Sequence, residues 1–193
     1  MIDKELFFDT GDLARVNPAT GDFIITGRAK DTIVLSNGEN VEPQSIEEGI
    51  LAGSRLVDQI MLVGQDEKYL AALVVLSVPE LISGGFIDAD KGAALSALVT
   101  AAGNKDVGAA SALRKEAEAL NANDKVKSSI METAAVTGTN LRPWERIGTI
   151  SVILEPFSIA NGQLTQTLKI KKDKVMAAYK DEVLKIYASK KKQ

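Results

Sequence analysis

The fold is decided by two apolar runs, VDQIMLV at residues 57–63 and LAALVVLSV at residues 70–78. Both runs are rich in β-branched and aliphatic residues, and the polar stretch 64–68 between them is typical of a turn. They therefore predict two antiparallel strands that are half-buried or fully buried. The segment from Gly148 to Leu154 resumes the same β character later in the chain and predicts a further strand.

The segment between these strands has a different composition. Residues 79–138 are Ala-rich and their apolar residues recur at helical spacing, which predicts two or three helices. Strands that bracket a helical segment predict an α+β fold: a small mixed or antiparallel sheet with flanking helices plus an Ala-rich helical insertion at about residues 79–141. A closing helix is predicted from four apolar positions at helical spacing, Val175, Tyr179, Val183 and Ile186.

Shorter elements precede the first apolar run. Residues 1–29 are rich in turn residues and contain one short strand at residues 23–26, so we interpret them as the edge of a larger unit. Residues 32–35 form a second short β run. Because Asn37-Gly38 in the following turn readily supplies positive φ, this segment predicts a hairpin.

A short amphipathic helix is predicted after this hairpin. Pro43 suits the first turn of a helix, because the N–H groups there have no acceptor within the helix and Pro lacks this group. Ile46, Ile50 and Leu51 then recur on one side. On this spacing Glu47 is predicted to face outward.

The composition is that of an ordinary globular domain. The chain has 193 residues, of which 45% are hydrophobic and 25% charged, and its net charge is −3. These proportions exclude the disordered and fibrous classes. The chain contains no His and no Cys, which excludes a thiol nucleophile, a disulfide, an imidazole base and a zinc site with soft ligands. Any chemistry must therefore use Lys, Arg, Asp, Glu or hydroxyl groups.

The sequence also bears on location and partners. No stretch reaches the roughly 18 consecutive apolar residues of a membrane span, and Met1 to Glu5 lack the start of a secretory signal. We therefore expect an intracellular protein, with membrane association through the closing helix left open. A net acidic chain with one Trp and three Tyr lacks the surface typical of nucleic-acid binding, so no nucleic-acid partner is expected.

The charge is unevenly distributed along the chain. From Lys169 onward there are nine lysines and three acidic residues, so this end carries +6 and the rest carries −9. A basic end on an acidic body favours phosphates, acidic proteins or nucleic acid as ligands. A solvated helix with a frayed tail at Lys190 to Lys192 has the same composition, so both interpretations stay open.

Two short motifs near the start are candidate binding residues. In Thr10-Gly11-Asp12, a carboxylate directly after a Gly turn can accept hydrogen bonds from two adjacent hydroxyls, as in ribose recognition. The same motif also occurs as an ordinary turn or helix cap. Arg28 and Lys30 place two cations between two β runs, as a binding site or as plain surface charge.

The third candidate is the segment 161–172. Strict alternation predicts an extended strand with Thr165, Thr167, Lys169 and Lys171 on one face, a row that can contact a polyphosphate. An edge strand protected by lysines has the same pattern. The chain contains neither GxxxxGK[ST] nor GxGxxG, so the main backbone cradle for bound phosphates would lie outside it.

The order of the motifs is more specific than any one of them. FDTGDL at 8–13, GRAKDTI at 27–33 with Gly38, PQSIE at 43–47 and NGQLTQTLKIK at 161–171 follow one another. This order resembles the carboxy-terminal part of AMP-forming acyl-CoA synthetases of the adenylate-forming ligase superfamily. Within it, the chain resembles the long-chain fatty-acid ligases, particularly the acyl-[acyl-carrier-protein] synthetase type. The resemblance is continuous over residues 7–78 and 142–187.

By this resemblance, the protein is part of an AMP-forming long-chain fatty acid ligase. Such enzymes join a fatty acid to ATP, with Mg²⁺, as an acyl-adenylate and pass the acyl group to the pantetheine thiol of CoA or of acyl carrier protein. Residues 1–29 then correspond to the end of a large amino-terminal adenylation domain. Residues 30–193 correspond to a small carboxy-terminal lid that rotates between the two half-reactions.

The resemblance also implies what this chain needs. The family's phosphate loop, acyl pocket and adenine motif lie in the amino-terminal domain, so we expect this chain to be inactive alone, in an enzyme of the cytoplasm or a plastid. The alternative is a non-catalytic binding module whose basic closing helix docks an acidic carrier protein.

Five residues match the family's functional positions. The resemblance implies that Asp12 holds the ribose hydroxyls, that Arg28 also reaches the ribose, and that Lys30 is the hinge. It further implies that Gly38 lies beside the pantetheine and that Lys169 contacts the acyl carboxylate and the α-phosphate. No metal ligand is assigned to this chain.

The chemistry gives Lys169 an independent rationale. A carboxylate that attacks a phosphate brings two anions together, and an ammonium between them lowers the repulsion. A carboxylate nucleophile is already ionised at neutral pH, so the absence of His is compatible with this reaction. Two positions depart from the family: Gln166 stands where Pro is common, and Lys172 where Arg is common.

Overall fold

The computed structural model describes residues 8–189; Met1 to Glu5 and the lysine tail Lys190 to Lys192 lie outside the described residues. The strands are β1 (Asp12–Val16), β2 (Phe23–Arg28), β3 (Ile33–Val34), β4 (Asn40–Val41), β5 (Val57–Val63), β6 (Leu70–Leu76) and β7 (Ile147–Ile153). The helices are α1 (Pro43–Gly53), α2 (Val78–Ser83), α3 (Ala89–Gly103), α4 (Val107–Asn121), α5 (Asp124–Thr137), α6 (Lys172–Ala178) and α7 (Lys180–Ser189).

A three-stranded mixed sheet forms the centre of the molecule, in the order β5-β6-β7. β5 and β6 pair antiparallel, with Ile60 opposite Val74, and β6 and β7 pair parallel, with Ala72 opposite Ile150. Every residue of β6 is buried, because this strand has neighbours on both sides and helices on both faces. The predicted α+β fold is confirmed.

The Ala-rich insertion covers one face of the sheet together with α1. Leu95, Leu113 and Ile130 of the insertion belong to the same buried cluster as Ile46 and Ile50 of α1. Leu51, predicted on this buried side, is exposed. The described part of the insertion contains four helices rather than two or three, because the Gly84-Gly85 turn separates the short α2 from α3.

The outer edge of β7 is closed by a side chain of the insertion. The Asn121 Nδ2 group donates to the Val152 carbonyl at 3.0 Å, and the Val152 N–H donates to Asn121 Oδ1 at 2.7 Å. The amide therefore satisfies one residue of the edge in the way a neighbouring strand would.

The opposite face of the sheet is covered by α6 and α7. Val175, Tyr179, Val183 and Ile186 are buried there, as the pattern predicts. The single closing helix that was expected is two helices, because α6 ends at Ala178 and α7 begins at Lys180. The Tyr187 hydroxyl donates to the Val63 carbonyl at 3.0 Å and so ties α7 to the end of β5. No helix in the described part of the chain has the length and apolar character needed to cross a membrane.

Two hairpins precede the central sheet. β3 and β4 form the predicted hairpin, with Gly38 at a φ of +85° in its turn. β1 and β2 form a second antiparallel hairpin, in which only β2 is predicted by the sequence. β1 (DLARV) was missed because its Asp and Arg interrupt the apolar signal of a strand.

Candidate active site

The two predicted ribose residues lie side by side at the open end of the β1–β2 hairpin. Asp12 is the first residue of β1, Arg28 is the last residue of β2, and the strand register places them directly opposite. Arg28 Nε lies 3.1 Å from Asp12 Oδ1, and neither side chain is buried. This pairing orients the carboxylate and leaves its other oxygen available to accept a hydroxyl.

The turn before Asp12 is fixed by local side-chain bonds. The Gly11 N–H donates to Asp9 Oδ1 at 2.9 Å, and the Asp12 N–H donates to Thr10 Oγ1 at 3.2 Å. Gly11 has a φ of +69°, a conformation that favours Gly. Asp12 therefore projects from a defined turn.

The residue proposed as the hinge lies in a short 3₁₀ turn, Ala29–Asp31, directly after β2. Lys30 is exposed at its centre. The Ala29 N–H donates to the Gly11 carbonyl at 2.9 Å, and Lys172 Nζ donates to the Asp31 carbonyl at 3.2 Å. The hinge turn is thus held by the turn before β1 on one side and by the start of α6 on the other.

The segment around Lys169 is a compact loop. Leu164 and Ile170 form an isolated antiparallel bridge, and the chain reverses between them. The Thr165 N–H donates to the Lys169 carbonyl at 2.9 Å, and the Leu168 N–H donates to the Thr165 carbonyl at 3.0 Å. Lys169 is exposed on this loop.

The extended strand predicted for this segment is therefore wrong. Residue alternation assumes a straight backbone, whereas Thr165 Oγ1 accepts the Lys169 N–H at 3.0 Å and lies 3.0 Å from Thr167 Oγ1, which stabilises a turn. The residues expected on one strand face are Thr165, Thr167, Lys169 and Lys171.

Leu168, next to Lys169, is in an unusual conformation. It has a φ of +61°, a left-handed value that is rare for a residue other than Gly, and it is 68% exposed. Such a conformation persists only where surrounding contacts fix it, and the loop bonds of Thr165 supply them here. The backbone that carries Lys169 is consequently well defined although its side chain is exposed.

Glu47 makes a contact with β5 that the sequence did not predict. It was predicted to face outward, but it is only partly exposed, and its Oε1 accepts the Leu62 N–H of β5 at 2.7 Å. Burial raises the pKa of the Glu47 carboxyl, while the same Leu62 hydrogen bond and the nearby Lys172 ammonium oppose that rise. The free N–H on the edge of β5 is the physical reason that this helix residue turns inward.

The loop predicted beside the pantetheine is a tight turn. The Gly38 N–H donates to the Leu35 carbonyl at 2.9 Å, and the Glu39 N–H donates to Asn37 Oδ1 at 3.1 Å. Gly38 is exposed, and the space where a Cβ would lie is open. The positive φ, rather than crowding in this structure, is therefore what requires Gly at this position.

A cleft of about 500 Å³ lies between the hinge turn and α6. Lys30, Asp31, Ile170 and Lys172 are among its lining residues. Within residues 8–189, no hydrogen bond or ion pair joins Lys169 to Asp12 or Arg28. The structure therefore brings Asp12 and Arg28 together and connects the segment after Lys169 to the hinge turn.

The chain's own residues fit part of a nucleotide. The Asp12–Arg28 pair offers an acceptor and donors of the kind that bind a ribose diol, and exposed Lys169 offers a cation for a phosphate. Among residues 8–189 there is no group of three or more acidic side chains placed to hold a metal ion.

The basic character of the described closing segment lies at α6 rather than α7. Lys171 and Lys174 are exposed close to Lys169 in sequence. In α7 the described charges are balanced, and Lys185 Nζ lies 2.9 Å from a carboxylate oxygen of Glu118. The basic surface of the described residues is thus on the side of the Lys169 loop.

Comparison with known proteins defines the class to which this arrangement belongs. Residues 30–117 match the family described as "AMP-binding enzyme C-terminal domain". These residues are similar to that domain family, and the chain is similar over 97% of its length to proteins named as long-chain fatty acid ligases for CoA or acyl carrier protein. The resemblance given by the sequence motifs is confirmed.

Two relatives come from Arabidopsis thaliana. "Probable acyl-activating enzyme 16, chloroplastic" is 33% identical, with 97% of this chain and 24% of the relative covered. "Long-chain-fatty-acid--[acyl-carrier-protein] ligase AEE15, chloroplastic" is 30% identical, with 97% of this chain and 22% of the relative covered. The chain therefore spans about a quarter of the length of these relatives.

A solved structure has the same fold. The adenylation domain of carboxylic acid reductase from Segniliparus rugosus, in complex with AMP and a co-purified carboxylic acid, matches with a TM-score of 0.68 and 24% identity. The match covers 97% of this chain and 24% of that chain. The arrangement of strands and helices is thus shared with about a quarter of that chain.

Proposed function

We propose that this chain is the carboxy-terminal part of an ATP-dependent fatty-acid ligase that forms an acyl-adenylate and transfers the acyl group to a pantetheine thiol. The observation that carries the proposal is the exposed Lys169 ammonium on a loop fixed by its own hydrogen bonds. An exposed, preorganised cation suits a lid that enters a site built by other residues. The homology to fatty-acid ligases supplies the reaction class.

The proposed domain division assigns residues 1–29 to the end of an amino-terminal adenylation domain and residues 30–193 to the lid. Three apolar side chains on one face of the β1–β2 hairpin support this division. Phe23 is 80% exposed and Ile25 is 68% exposed, and Val16 lies opposite Phe23 on the same face. An apolar surface of this kind suits burial against a partner. The family match that begins at residue 30 also supports it.

In the first half-reaction, Lys169 stabilises the approach of two anions. The fatty-acid carboxylate oxygen forms a bond to the α-phosphorus of ATP as the bond to the β-phosphate oxygen breaks, and pyrophosphate leaves. The Lys169 ammonium offsets the repulsion between the carboxylate and the α-phosphate as these two anions approach each other. No proton has to be removed, since the carboxylate is already ionised.

Asp12 and Arg28 orient the nucleotide in this proposal. The Asp12 carboxylate accepts hydrogen bonds from the two ribose hydroxyls, and Arg28 holds that carboxylate in position through the 3.1 Å contact. A fixed ribose places the α-phosphate at a defined distance from Lys169. ATP thus binds through its ribose at the hairpin and through its phosphates elsewhere, with Mg²⁺ supplied by the complete site.

In the second half-reaction, rotation at Lys30 moves the lid. The pantetheine thiol attacks the acyl carbonyl carbon through its sulfur and releases its proton to solvent, the bond to the AMP oxygen breaks, and AMP leaves with the electron pair. Gly38 lies beside the pantetheine in this orientation, where its lack of a side chain leaves room for an extended arm. The exposed position of Lys30 in a short turn suits a backbone pivot.

The first test uses the purified 193-residue chain. We expect no pyrophosphate release that depends on both ATP and a fatty acid, because the phosphate loop and the acyl pocket are proposed to lie in the amino-terminal domain. The activity should appear when the amino-terminal part is supplied. Release by the chain alone would contradict the proposed division of labour.

A second test separates the half-reactions in the completed enzyme. Lys169→Ala should lower the rate of adenylate formation by about 10²–10³-fold, whereas thioester formation from a preformed acyl-adenylate should change far less. Lys171→Ala is the matched control, since it removes an exposed lysine two residues away. Equal losses in both half-reactions, or an equal effect of Lys171→Ala, would remove Lys169 from the proposed role.

The alternative function, docking of an acidic carrier protein by the basic closing segment, makes a different prediction. Carrier binding that is sensitive to salt, survives Lys169→Ala and is lost on removing Lys190 to Lys192 would favour it. The balanced charges of α7 favour the ligase proposal among the described residues.

The names of two relatives also bear on the compartment. Both are described as chloroplastic, which favours a plastid over the cytoplasm. Imaging of a full-length fusion to a fluorescent protein tests this location.

A further inference from the structure

The start of α6 is joined to the hinge turn by one lysine. Lys172 Nζ donates to the Asp31 carbonyl at 3.2 Å, across 141 residues of sequence. Lys172 is the first residue of α6 and follows Lys169 by three positions, while Asp31 follows the hinge residue Lys30 directly. This contact therefore connects the segment that follows the Lys169 loop with the peptide next to the hinge residue.

The position of the Lys172 ammonium is explained by the charged and polar groups around it. A cation in the first turn of a helix is disfavoured by the helix dipole, so its own helix does not stabilise it there. The Glu47 carboxylate, anchored by the Leu62 N–H at 2.7 Å, attracts the Lys172 ammonium electrostatically. The ammonium is thus held by its hydrogen bond to the carbonyl of the hinge turn, with a longer-range attraction from the carboxylate of α1.

The Lys172 bond is the contact that ties the hinge turn to α6, whereas the Ala29 N–H bond to the Gly11 carbonyl ties the turn to the β1 side. The cleft of about 500 Å³ separates the hinge turn from α6, and Lys30, Asp31 and Lys172 all line it. The 3₁₀ turn itself is closed by a long bond, from the Thr32 N–H to the Ala29 carbonyl at 3.4 Å. A charge-assisted bond to Asp31 therefore contributes substantially to the position of this peptide.

We propose that Lys172 is a positioning residue that fixes the pivot of the lid at Lys30. Because the Asp31 carbonyl is bound to α6, it moves with the body of the lid, and rotation is confined to the backbone bonds that precede it. Without this bond the rotation would spread over further residues, and the lid would sample more orientations in both half-reactions. This inference rests on the proposed function for its catalytic consequence but not for the contact itself.

The contact is tested first on the 193-residue chain, by hydrogen–deuterium exchange of the amides of residues 29–33. Lys172→Met should raise their exchange by about tenfold, which corresponds to the loss of one charge-assisted hydrogen bond. Lys174→Met, which removes an exposed lysine of the same helix, should leave it unchanged. Lys172→Arg should keep the slow exchange, because a guanidinium can donate to the same carbonyl.

Three results would each overturn the proposed role of the Lys172–Asp31 bond. They are unchanged exchange in Lys172→Met, an equal rise in Lys174→Met, and fast exchange in Lys172→Arg. Circular dichroism and thermal unfolding of the same variants identify a variant that fails to fold. In that case Lys172→Gln, which can still donate a hydrogen bond but carries no charge, replaces Lys172→Met and should give an intermediate rise.

The catalytic consequence is tested in the completed enzyme. Lys172→Met should lower kcat of both half-reactions by a similar factor, about tenfold at most, with KM for ATP and fatty acid unchanged, and Lys172→Arg should restore both. A loss confined to one half-reaction, or a raised KM, would contradict a role at the pivot. If Lys169→Ala does not selectively lower the rate of adenylate formation, but Lys172→Met raises amide exchange as expected, the proposed function is wrong and the role of the Lys172–Asp31 bond is retained. If Lys169→Ala behaves as expected but Lys172→Met leaves amide exchange unchanged, only the proposed role of the Lys172–Asp31 bond is wrong.

Discussion

At the scale of single residues, the candidate site depends on a few polar groups whose neighbours are far away in sequence. Asp12 meets Arg28 through strand pairing, and Lys172 meets Asp31 through the packing of α6 beside the hinge turn. Glu47 completes this set from α1, where it caps a free N–H of β5. Each contact combines a charged group with a partner of fixed position, which is the geometry that gives such bonds their strength.

Glu47 gives a prediction of pH dependence. Burial raises the pKa of its carboxyl above the ordinary 4.5 in the folded chain. A carboxyl with a raised folded-state pKa binds its proton more tightly when folded, so its contribution to stability is complete below the unfolded-state pKa and is lost as pH rises through the folded-state value. Glu47→Gln does not titrate and can still accept the Leu62 N–H.

The stability of the wild type relative to Glu47→Gln should therefore fall as pH rises above the ordinary carboxyl pKa of 4.5. Urea unfolding of both chains at several pH values measures this difference. A difference that stays constant, or that changes in favour of the wild type with rising pH, would contradict the burial of this carboxyl.

At the scale of elements, the helical insertion is an integral layer of the domain. Its helices α3, α4 and α5 share one buried cluster with α1 and with one face of the sheet. Asn121 at the end of α4 also closes the edge of β7. The segment is therefore required to exclude water from that face, since a sheet exposed on one side would leave its apolar residues uncovered.

Leu113 tests this role of the insertion. It lies on α4 and is 1% exposed, so Leu113→Ala should lower the free energy of unfolding by about 2–5 kcal/mol through lost burial and a residual cavity. Val107, on the same helix and 81% exposed, is the matched control, and Val107→Ala should change stability by less than about 0.5 kcal/mol. Denaturant unfolding provides both values. Similar small effects would mean that the insertion does not share the core.

At the scale of the whole molecule, the described chain combines a well-packed three-layer body with an apolar hairpin that lacks a cover. The hairpin contacts the body through α1, and Gly27 lies close to the Glu42 side chain. Its opposite face, with Val16, Phe23 and Ile25, is exposed. This contrast between a buried body and an exposed apolar hairpin suits a chain that works against another domain.

Replacing the apolar residues of this face tests that interpretation. Phe23→Thr combined with Ile25→Thr keeps residues of good β propensity, so the stability of the 193-residue chain should change by less than about 1 kcal/mol. Association with the separately produced amino-terminal part should weaken by about tenfold or more. Val136→Thr on α5 is the control, since Val136 is also exposed. Calorimetric titration measures both affinities, and an unaltered affinity in the double variant would show that the hairpin face is not the contact.

Part of this architecture follows from the sequence alone. The sequence predicts β5, β6, β7, α1 and a helical closing segment, because a strand buried on both faces needs a continuous apolar run and a surface helix needs an apolar stripe. It does not predict the break of the closing segment into α6 and α7. Gly38 was predicted in a turn because its conformation is excluded for most other residues. The order of the motifs also indicated the family before any contact was known.

The remaining features depend on the tertiary structure. The inward orientation of Glu47 and the Lys172–Asp31 bond arise from groups that meet only after folding. The bend at Lys169 is made by local hydrogen bonds of Thr165, which the alternation of residue types does not report. Periodicity reports which side of an element is buried, but a hydrogen bond across 141 residues leaves no periodic signal. The sequence thus determined the layers and the candidate residues, whereas packing decided which charged groups face one another.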